Sequence, residues 1–185
     1  MSDTTYLAEG PRTAIRPFTH ADADEFTARA RESRELHRPW LYPPVGPDAY
    51  AAYAGVLIED PTKAGFLVCE RHGEAEGRTD GAIAGFININ NIVIGGFRCG
   101  ALGYGAFAHA TRRGLMSEGL GLVIGHAFGP LGLHRLEANI QPDNTGSIAL
   151  VRRAGFRLEG LSPDFLFIDG AWRDHERWAI TAEMR

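Results

Sequence analysis

The sequence is poor in lysine and in cysteine. Lys63 is the only lysine among 19 basic residues, so almost all of the positive charge is arginine. Arginine suits bidentate binding of phosphate and carboxylate better than lysine does, although genome composition explains the same bias. The only cysteines, Cys69 and Cys99, both fall in apolar, strand-like stretches. This usage argues against a disulfide framework and favours buried, inert thiols in a reducing compartment.

The chain also lacks segments typical of export or membrane insertion. No stretch is long and apolar enough to span a bilayer. The polar, acidic start MSDTTYLAEG has no charged region followed by an apolar one, so no signal peptide is expected. The formal net charge is −4, which gives the chain as a whole no basic footprint for nucleic acid. We therefore expect a cytoplasmic protein that binds neither membranes nor nucleic acid.

Several motifs that carry chemistry are missing too. The sequence has no Gly-x-Ser-x-Gly elbow, no Walker phosphate loop and no metal-spaced His/Cys cluster, so no metal is expected. Gly103-x-Gly105-x-x-Ala108 superficially fits a dinucleotide fingerprint. Its glycines fall inside a predicted strand, however, no helix opens at Ala108, and no acidic residue lies about 20 positions on.

What remains is an ordinary globular composition over 185 residues, with 44% hydrophobic and 23% charged residues, which suits one domain spanning 1–185. Hydrophobic periodicity predicts strands at 12–17, 64–71, 82–91, 99–108 and 133–140, and a hairpin of 156–168 and 171–182. Helices are predicted from Thr19 to about Leu36 and at 48–59, 114–128 and 144–154. Consecutive central strands predict an α/β fold with a mixed sheet, antiparallel first, and helices on both faces.

Several local signals refine these elements. Asp48 is the predicted N-cap of the second helix, and Asp169-Gly170 the predicted turn of the closing hairpin. Alternation places Ile83, Ile87 and Ile89 on one face of their strand. Gly103 and Gly105 indicate a bulge or a close backbone approach, and the polar, glycine-rich stretch 72–81 is predicted to be a turn.

The segment from His109 to Glu118 is a candidate anion site. It lies where the long helix begins, and a helix N-terminus carries unpaired N–H groups and partial positive charge. Gly114 allows close approach of the backbone to a phosphate, and Arg112 and Arg113 add charge. The alternative is a solvated turn.

The segment 133–160 holds a second set of candidates. Asn144 is either the N-cap of its helix, with Ser147 in the first turn, or a group that projects toward a ligand. Glu137 is a candidate base if its side of the strand faces a cleft, or else pairs with an arginine such as Arg135 or Arg157. Gly155 fits a left-handed C-terminal cap, with Phe156 packed on Val151, which is a structural role.

Taken together, these segments resemble the GNAT acetyltransferases, and within them the ribosomal-protein N-terminal acetyltransferase type (RimJ/RimL-like). The resemblance rests on the order and spacing of several short motifs along nearly the whole chain. They are Thr13–Pro17, Pro39-Trp40-Leu41, Leu102-Gly103-Tyr104, Arg112–Glu118, Leu136-Glu137-Ala138-Asn139, Asn144-Thr145-Gly146-Ser147, Ala154–Gly160 and Asp169–Asp174. It implies the GNAT fold, with a sheet of about seven strands.

The resemblance also implies an acetyl-CoA site. In the family, the backbone of the strand at Phe107–His109 pairs with the pantetheine arm, and the position of Asn144 contacts that arm. The pyrophosphate loop, Gln/Arg-x-x-Gly-x-Gly/Ala, matches Thr111–Met116 with departures at Thr111 and Met116. The residues expected to bind the cofactor are Phe107, Ala108, His109, Arg112, Arg113, Gly114, Leu115, Met116, Ser117, Asn139, Asn144 and Ser147.

For catalysis, the resemblance implies direct attack of a neutral amine on the thioester. Many relatives carry a tyrosine as general acid where this chain has Val151, so Ser147, with Tyr104 behind it, is the expected replacement, and Glu137 the expected base. Trp40 and Tyr42 lie in a proline-rich loop, which is either a packed surface loop or, as in relatives, part of the acceptor groove. The expected acceptor is a protein or peptide N-terminal amine, with small amines (antibiotic, polyamine, amino acid), a succinyl donor or a non-catalytic acyl-CoA-binding module as alternatives. The chain is also compatible with a homodimer.

Overall fold

The computed structural model describes residues 5–71 and 81–185. Its strands are β1 (Ala8–Glu9), β2 (Thr13–Pro17), β3 (Ala64–Glu70), β4 (Ile83–Val93), β5 (Cys99–Ala106), β6 (Arg135–Ile140), β7 (Arg157–Ile168) and β8 (Ala171–Thr181). Its helices are α1 (Ala23–Glu32), α2 (Arg34–His37), α3 (Pro47–Glu59), α4 (Leu115–Phe128) and α5 (Thr145–Arg153). Short 3₁₀ turns cover His20–Asp22, Ala108–Ala110 and Ala182–Met184.

One mixed sheet organises these elements, with the strand order β1-β2-β3-β4-β5-β6-β8-β7. Neighbouring strands are antiparallel except β5 and β6, which are parallel. The parallel pairing runs from Cys99 opposite Arg135 to Leu102 opposite Ala138 and ends there, although both strands continue. The sheet therefore opens between the ends of β5 and β6. The GNAT fold and the mixed sheet with flanking helices are as predicted, with the two-residue β1 as an additional strand.

Two hydrophobic cores lie on the two faces of the sheet. The larger core packs α4 and α5 against the sheet through residues such as Leu120, Val123 and Val151. The smaller core packs α1 and α3 on the opposite face through an aromatic cluster centred on Phe26, whose ring centroid lies 5.1 Å from that of Tyr50 and 5.2 Å from that of Phe107. These two cores hold the ends of β5 and the start of α4 in fixed positions.

The prediction that Ile83 shares a face with Ile87 and Ile89 is wrong. Ile83 belongs to the smaller core, whereas Ile87 and Ile89 belong to the larger one. The pairing of β3 with β4 steps from Val68–Gly85 to Cys69–Ile83, so Ala84 is an extra residue in β4. A β-bulge of this kind reverses the alternation beyond it, and strict period-2 reasoning does not anticipate it.

Two helix boundaries also differ from the prediction. The N-cap of α3 is Gly46 rather than Asp48, and Pro47 is the first helical residue, a position where its missing N–H needs no partner. The predicted helix to Leu36 is broken at Ser33. The Ser33 hydroxyl donates to the Arg29 carbonyl at 2.7 Å and accepts from the Ala108 N–H at 2.8 Å, which joins the end of α1 to the segment after β5.

The predicted C-terminal cap at Gly155 and the predicted hairpin turn are confirmed. Asp169 and Gly170 both have positive φ, as a type I′ turn requires. Gly155 has φ +93°, its N–H donates to the Arg152 carbonyl, and the Phe156 N–H donates to the Val151 carbonyl, which is the Schellman arrangement. Gly105 is a close approach, because an added Cβ would lie 2.8 Å from Phe86. Apart from Gly81, the predicted turn at 72–81 lies outside the described residues. No helix within 5–71 or 81–185 combines the length and apolarity needed to cross a membrane.

Candidate active site

Two connected cavities open where β5 and β6 separate. The larger one, the main cleft, has a volume of about 550 Å³. It lies between α2 with the loop that follows it (the α2 loop), the end of β5 and the first turns of α4 and α5. The smaller one, the side cavity, has a volume of about 210 Å³ and lies between the same loop, β6 and the β7–β8 hairpin. Both are lined by Trp40, Leu41, Tyr104, Asn144 and Ser147, so these residues mark the junction of the two cavities.

The floor of the main cleft at α4 is built from backbone. Arg112 has φ +60° and Gly114, the N-cap of α4, has φ +75°. These left-handed residues turn the chain so that backbone N–H groups converge at the helix N-terminus. Within the described part of the chain, the N–H groups of Arg112, Arg113 and Gly114 donate no hydrogen bond. With the unpaired N–H groups of the first helical turn, they make up the candidate site for an anionic group.

The basic side chains of this turn divide between the cleft and the protein body. Arg112 lines the main cleft. Arg113 instead donates to both carboxylate oxygens of Glu70, at 2.9 and 2.8 Å, and His109 Nε2 lies 3.3 Å from the same carboxylate. Of the predicted cofactor-binding residues here, Gly114, Leu115, Met116 and Ser117 also line the main cleft, whereas His109 and Arg113 do not.

Glu118 holds the first turn of α4 against the sheet. Its carboxylate accepts hydrogen bonds from the N–H groups of Arg12 (2.8 Å) and Thr13 (2.9 Å), from the Thr13 hydroxyl and from the Arg12 guanidinium. Desolvation by burial raises the pKa of Glu118, but these hydrogen bonds outweigh it and hold the pKa below its ordinary value. The anion site is therefore fixed by a carboxylate on the far side of the helix end.

The open edge of β5 forms one wall of the main cleft. The Phe107 side chain is fully buried, and its N–H donates to the Ala84 carbonyl, while the Ala108 N–H donates to Ser33. Strand alternation therefore turns the peptide groups of Tyr104 and Ala106 toward β6. His37 Nε2 lies 2.7 Å from the Ala106 carbonyl oxygen and must donate to it. Burial lowers the pKa of His37, an effect that this hydrogen bond only partly offsets, so its ring is neutral at pH 7.

Tyr104 and Ser147 meet at the junction of the cavities. Their hydroxyl oxygens are 2.5 Å apart. Burial raises the pKa of Tyr104 to about 12, the bond to Ser147 acting in the opposite direction, so Tyr104 keeps its proton at neutral pH. Asn144 is the N-cap of α5, as one alternative predicted: its Oδ1 accepts from the Ser147 N–H at 3.2 Å. The cap therefore positions Ser147 in the first turn of the helix.

The side cavity is lined by apolar and uncharged side chains. Beyond the shared residues its wall includes Asn139, Leu166, Ile168 and His175, and no carboxylate is among the described residues that line it. His175 is 2% exposed, and its Nδ1 lies 2.9 Å from the Arg173 carbonyl oxygen. Asn139, predicted to bind the cofactor, thus lies on the side-cavity wall.

Glu137 lies outside both cavities. It is on the same side of β6 as Asn139, because Leu136, Ala138 and Ile140 fill the buried side. Its two carboxylate oxygens accept from Arg135 at 2.8 Å and from Arg177 at 3.0 Å. The pairing with Arg135 is the structural alternative drawn from the sequence. A role for Glu137 as the base stays a prediction.

The two aromatic residues of the proline-rich loop are placed differently. Trp40 lines both cavities. Tyr42 lines neither: it is 50% exposed, and the Arg38 guanidinium lies 5.9 Å from its ring centroid. A contact of Tyr42 with an acceptor stays a prediction.

Sequence reasoning did not single out several residues of the site. They are His37, Arg153 and Leu150 in the main cleft, and Leu166, Ile168 and His175 in the side cavity. The side-cavity residues belong to the closing hairpin, which the sequence indicates through its Asp169-Gly170 turn. No local motif marks His175, because its place depends on β8 lying beside β6.

Comparisons with known proteins agree with this geometry. The sequence pattern of the family described as "Acetyltransferase (GNAT) domain" matches residues 12–157. The chain is 28% identical to the probable N-acetyltransferase YjcK of Bacillus subtilis over 94% of its length and 96% of that protein. It is 40% identical to the [ribosomal protein uS5]-alanine N-acetyltransferase of Escherichia coli over 99 residues, 54% of this chain and about half (51%) of that protein.

A solved structure supports the same assignment. Mycobacterium smegmatis RimJ in complex with CoA-disulfide superposes with a TM-score of 0.83 at 28% identity, covering 94% of this chain and 87% of that one. The matched pattern spans well over half of the chain and includes β5, the α4 N-terminus and the start of α5. The chain belongs to the acetyltransferase (GNAT) domain family and is an N-acetyltransferase.

Proposed function

We propose that the protein transfers an acetyl group from acetyl-CoA to the α-amine of a peptide or protein N-terminus. The main cleft is the donor site in this proposal and the side cavity the acceptor site. The observation that carries it is the uncharged lining of the side cavity beside the Tyr104–Ser147 hydroxyl pair. An acceptor with one amine and a small uncharged side chain fits this lining, and a polycation finds no counter-charge there.

The residues of the main cleft fit an acyl-CoA. The unpaired N–H groups at the start of α4 and the Arg112 side chain would hold a pyrophosphate. The peptide groups of Tyr104 and Ala106 on the open edge of β5 would pair with the amide-containing arm. Thr111 and Met116 depart from the family loop, but backbone groups do the binding, so these changes leave the site intact in the proposal.

The acceptor chemistry favours an α-amine. At pH 7 and 1.36 kcal/mol per pKa unit, neutralising an α-amine costs roughly 1 kcal/mol, against about 4–5 kcal/mol for a lysine-type amine. The side cavity, which has no carboxylate in its described lining, offers little to offset the larger cost. At about 30 Å³ per water-sized group, its 210 Å³ has room for about seven such groups, roughly an N-terminal alanine or serine and the peptide group that follows.

In the reaction, the neutral amine nitrogen forms a bond to the thioester carbonyl carbon, and the carbon–sulfur bond breaks. The thiolate of CoA takes a proton from the Tyr104–Ser147 pair, which is replenished by the proton that the new amide nitrogen loses. Tyr104 is suited to this step because it stays protonated at neutral pH. Most of the rate would come from positioning the amine and thioester together.

Acceptor competition under matched conditions tests the proposal. Thermal stabilisation by acetyl-CoA, CoA and succinyl-CoA first identifies the donor; a ligand at 100 times its Kd adds about 2.7 kcal/mol of stability. Acetylation is then measured on an Ala- or Ser-initiated peptide, on the same peptide with a blocked N-terminus and a free lysine, and on spermidine.

The expected result is stabilisation by acetyl-CoA and turnover of the peptide with a free N-terminus only. Preferential turnover of spermidine would favour a small-amine acetyltransferase, and stabilisation without turnover of any amine would contradict the proposed transfer and favour a non-catalytic module. A cytoplasmic location, a homodimer and a single domain over 1–185 stay predictions.

A further inference from the structure

We propose that His175 is the proton acceptor for the amine in the side cavity. The inference rests on the proposed acceptor site and goes beyond it by naming the group that neutralises the substrate. His175 lies on β8 and is almost fully buried, yet it is one of the residues that line the side cavity, together with Tyr104 and Ser147.

A hydrogen bond fixes the tautomer of the His175 ring. A carbonyl oxygen can only accept, so Nδ1, 2.9 Å from the Arg173 carbonyl, carries the ring proton. In the neutral ring Nε2 therefore holds the lone pair. Nε2 has no hydrogen-bond partner within residues 5–71 and 81–185. It is also not one of the polar atoms that lack a partner and are fully buried from solvent. The lone pair is available to a group that enters the cavity.

The neighbours of His175 hold the ring in place. The ring centroid of His175 lies 6.0 Å from that of Phe165 on β7. The Arg177 guanidinium lies 4.8 Å from the centroid of the same Phe165 ring. Ser162 on β7 is the cross-strand partner of His175. The side chain is thus held by packing, and a single ring atom is left for chemistry.

The charged and titratable groups around His175 come from three sides. On β8 they are Arg173, Asp174, Glu176 and Arg177. Asp164 lies on β7, and Tyr104 lies across the cavity on β5. Asp174 is engaged with the Asp164 N–H and Glu176 with the Trp178 ring nitrogen. From β6 and the segment after it, Asn139 and Gln141 line the cavity without charge. Among the described lining residues, His175 is the only histidine and, apart from Tyr104, the only titratable side chain.

The proton steps then balance. The ammonium form of the acceptor gives one proton to His175 Nε2, and the neutral amine attacks the thioester carbon. The thiolate leaves and receives a proton from the Tyr104–Ser147 pair, which regains one from the nitrogen of the new amide. The imidazolium releases its proton to water, so each turnover yields amide, CoA thiol and one proton. Glu137, paired with Arg135 and Arg177, plays no part.

The pH dependence of kcat/KM tests the assignment, on whichever amine the wild type acetylates. Failure of every N-terminal peptide would therefore count against the proposed function, while the His175 test would proceed on another amine. For wild type, two acceptors whose amine pKa values differ by about one unit should share one acidic limb. A limb that moves with the acceptor would overturn the proposal without any variant.

His175→Gln should lower kcat/KM at pH 7 by roughly 10²-fold, and its acidic limb should move up to the amine pKa of about 8. By pH 9 the loss should shrink to about tenfold or less. A loss of equal size at every pH would instead indicate a structural role. The matched control is His126→Gln, at a histidine packed on Phe66 outside both cavities.

If His175→Gln does not fold, His175→Ala with added imidazole gives a second measurement. Imidazole at tens of millimolar should restore the acidic limb of the wild type. A folded His175→Ala protein that gains nothing from imidazole, and whose kcat/KM at pH 7 stays within about twofold of wild type, would overturn the proposal.

Discussion

The Tyr104–Ser147 hydroxyl pair is expected to act as one unit in proton delivery to the leaving thiolate. The perturbations are Ser147→Ala, Tyr104→Phe and the double variant. The two oxygens are 2.5 Å apart at the junction of the cavities, and Tyr104 keeps its proton because burial raises its pKa to about 12. Either single change breaks the same connection.

The expected sizes follow from this arrangement. Ser147→Ala leaves the Tyr104 hydroxyl without a partner in the described chain, which should cost about 1–3 kcal/mol of stability. Loss of a positioned proton donor typically lowers the rate by about 10²–10⁴-fold. Since both hydroxyls serve one step, the double variant should lie within about tenfold of the slower single variant. It should also be more stable than the two single losses together imply, because no unpaired hydroxyl remains.

Steady-state kinetics and thermal denaturation of the three variants measure both effects. Tyr53→Phe is the matched control, because it removes a tyrosine hydroxyl 2.5 Å from Asn88 Nδ2, outside both cavities. It should lose stability without a comparable loss of kcat. Losses of rate that multiply in the double variant would refute the single unit, and unchanged kcat in both single variants would remove the pair from the mechanism.

Three further changes give separable outcomes. Glu118→Gln should cost about 1.5–3 kcal/mol of stability at pH 7. Because the folded pKa of Glu118 is lowered, the stability that wild type has above about pH 4.5 is lost as pH falls through that pKa. Denaturant titrations should therefore separate the two proteins at pH 7 and bring them closer together at pH 3.5, and equal stability at pH 7 would show that the carboxylate is dispensable. Gly85→Ala places a Cβ 2.5 Å from the Gly105 carbonyl oxygen and from Met116 Sδ, so we expect a loss of about 1–3 kcal/mol of stability and weaker stabilisation by acetyl-CoA. The control is Gly55→Ala in α3, whose nearest neighbour atom lies at 4.0 Å and which should gain about 0.5–1 kcal/mol of stability. Equal effects of the two substitutions would contradict the steric argument. Glu137→Gln should keep kcat/KM within about twofold, since Arg135 and Arg177 hold its carboxylate outside the cavities; a pH-dependent loss of kcat/KM would restore Glu137 as a base.

Local sequence signals were reliable where the chemistry is local. A cap or a tight turn depends on the φ of one or two residues and on hydrogen bonds within the same turn. Asn144 as an N-cap, Gly155 as a C-terminal cap and Asp169-Gly170 as a hairpin turn are therefore readable from a few residues. The candidate anion site at Gly114 is a prediction of the same local kind, because a helix N-terminus carries its own unpaired N–H groups.

Apart from the N-cap of α3, which is Gly46 rather than Asp48, the predictions that the structure contradicts failed where distant segments set the outcome. The bulge at Ala84 depends on how β4 pairs with β3, so alternation within β4 misplaced Ile83. Arg113 and His109 belong to the predicted anion segment, yet both pair with Glu70 on β3 and neither lines the main cleft, so their role in binding the cofactor stays a prediction. Both side chains are long enough to reach either of two partners, and only the position of β3 in the tertiary structure shows which partner is nearer.

The amino-acid sequence was sufficient for the family and the mixed α/β sheet, because each rests on periodicity or on short contiguous motifs, and it also predicts the backbone-built donor site. The side cavity, which is the proposed acceptor site, required the tertiary structure. Its wall joins the α2 loop, β5, β6 and the β7–β8 hairpin, and β8 lies beside β6 although α5 and β7 separate them in the chain. His175 therefore reaches Tyr104 and Ser147 through sheet order, which no spacing in the sequence encodes.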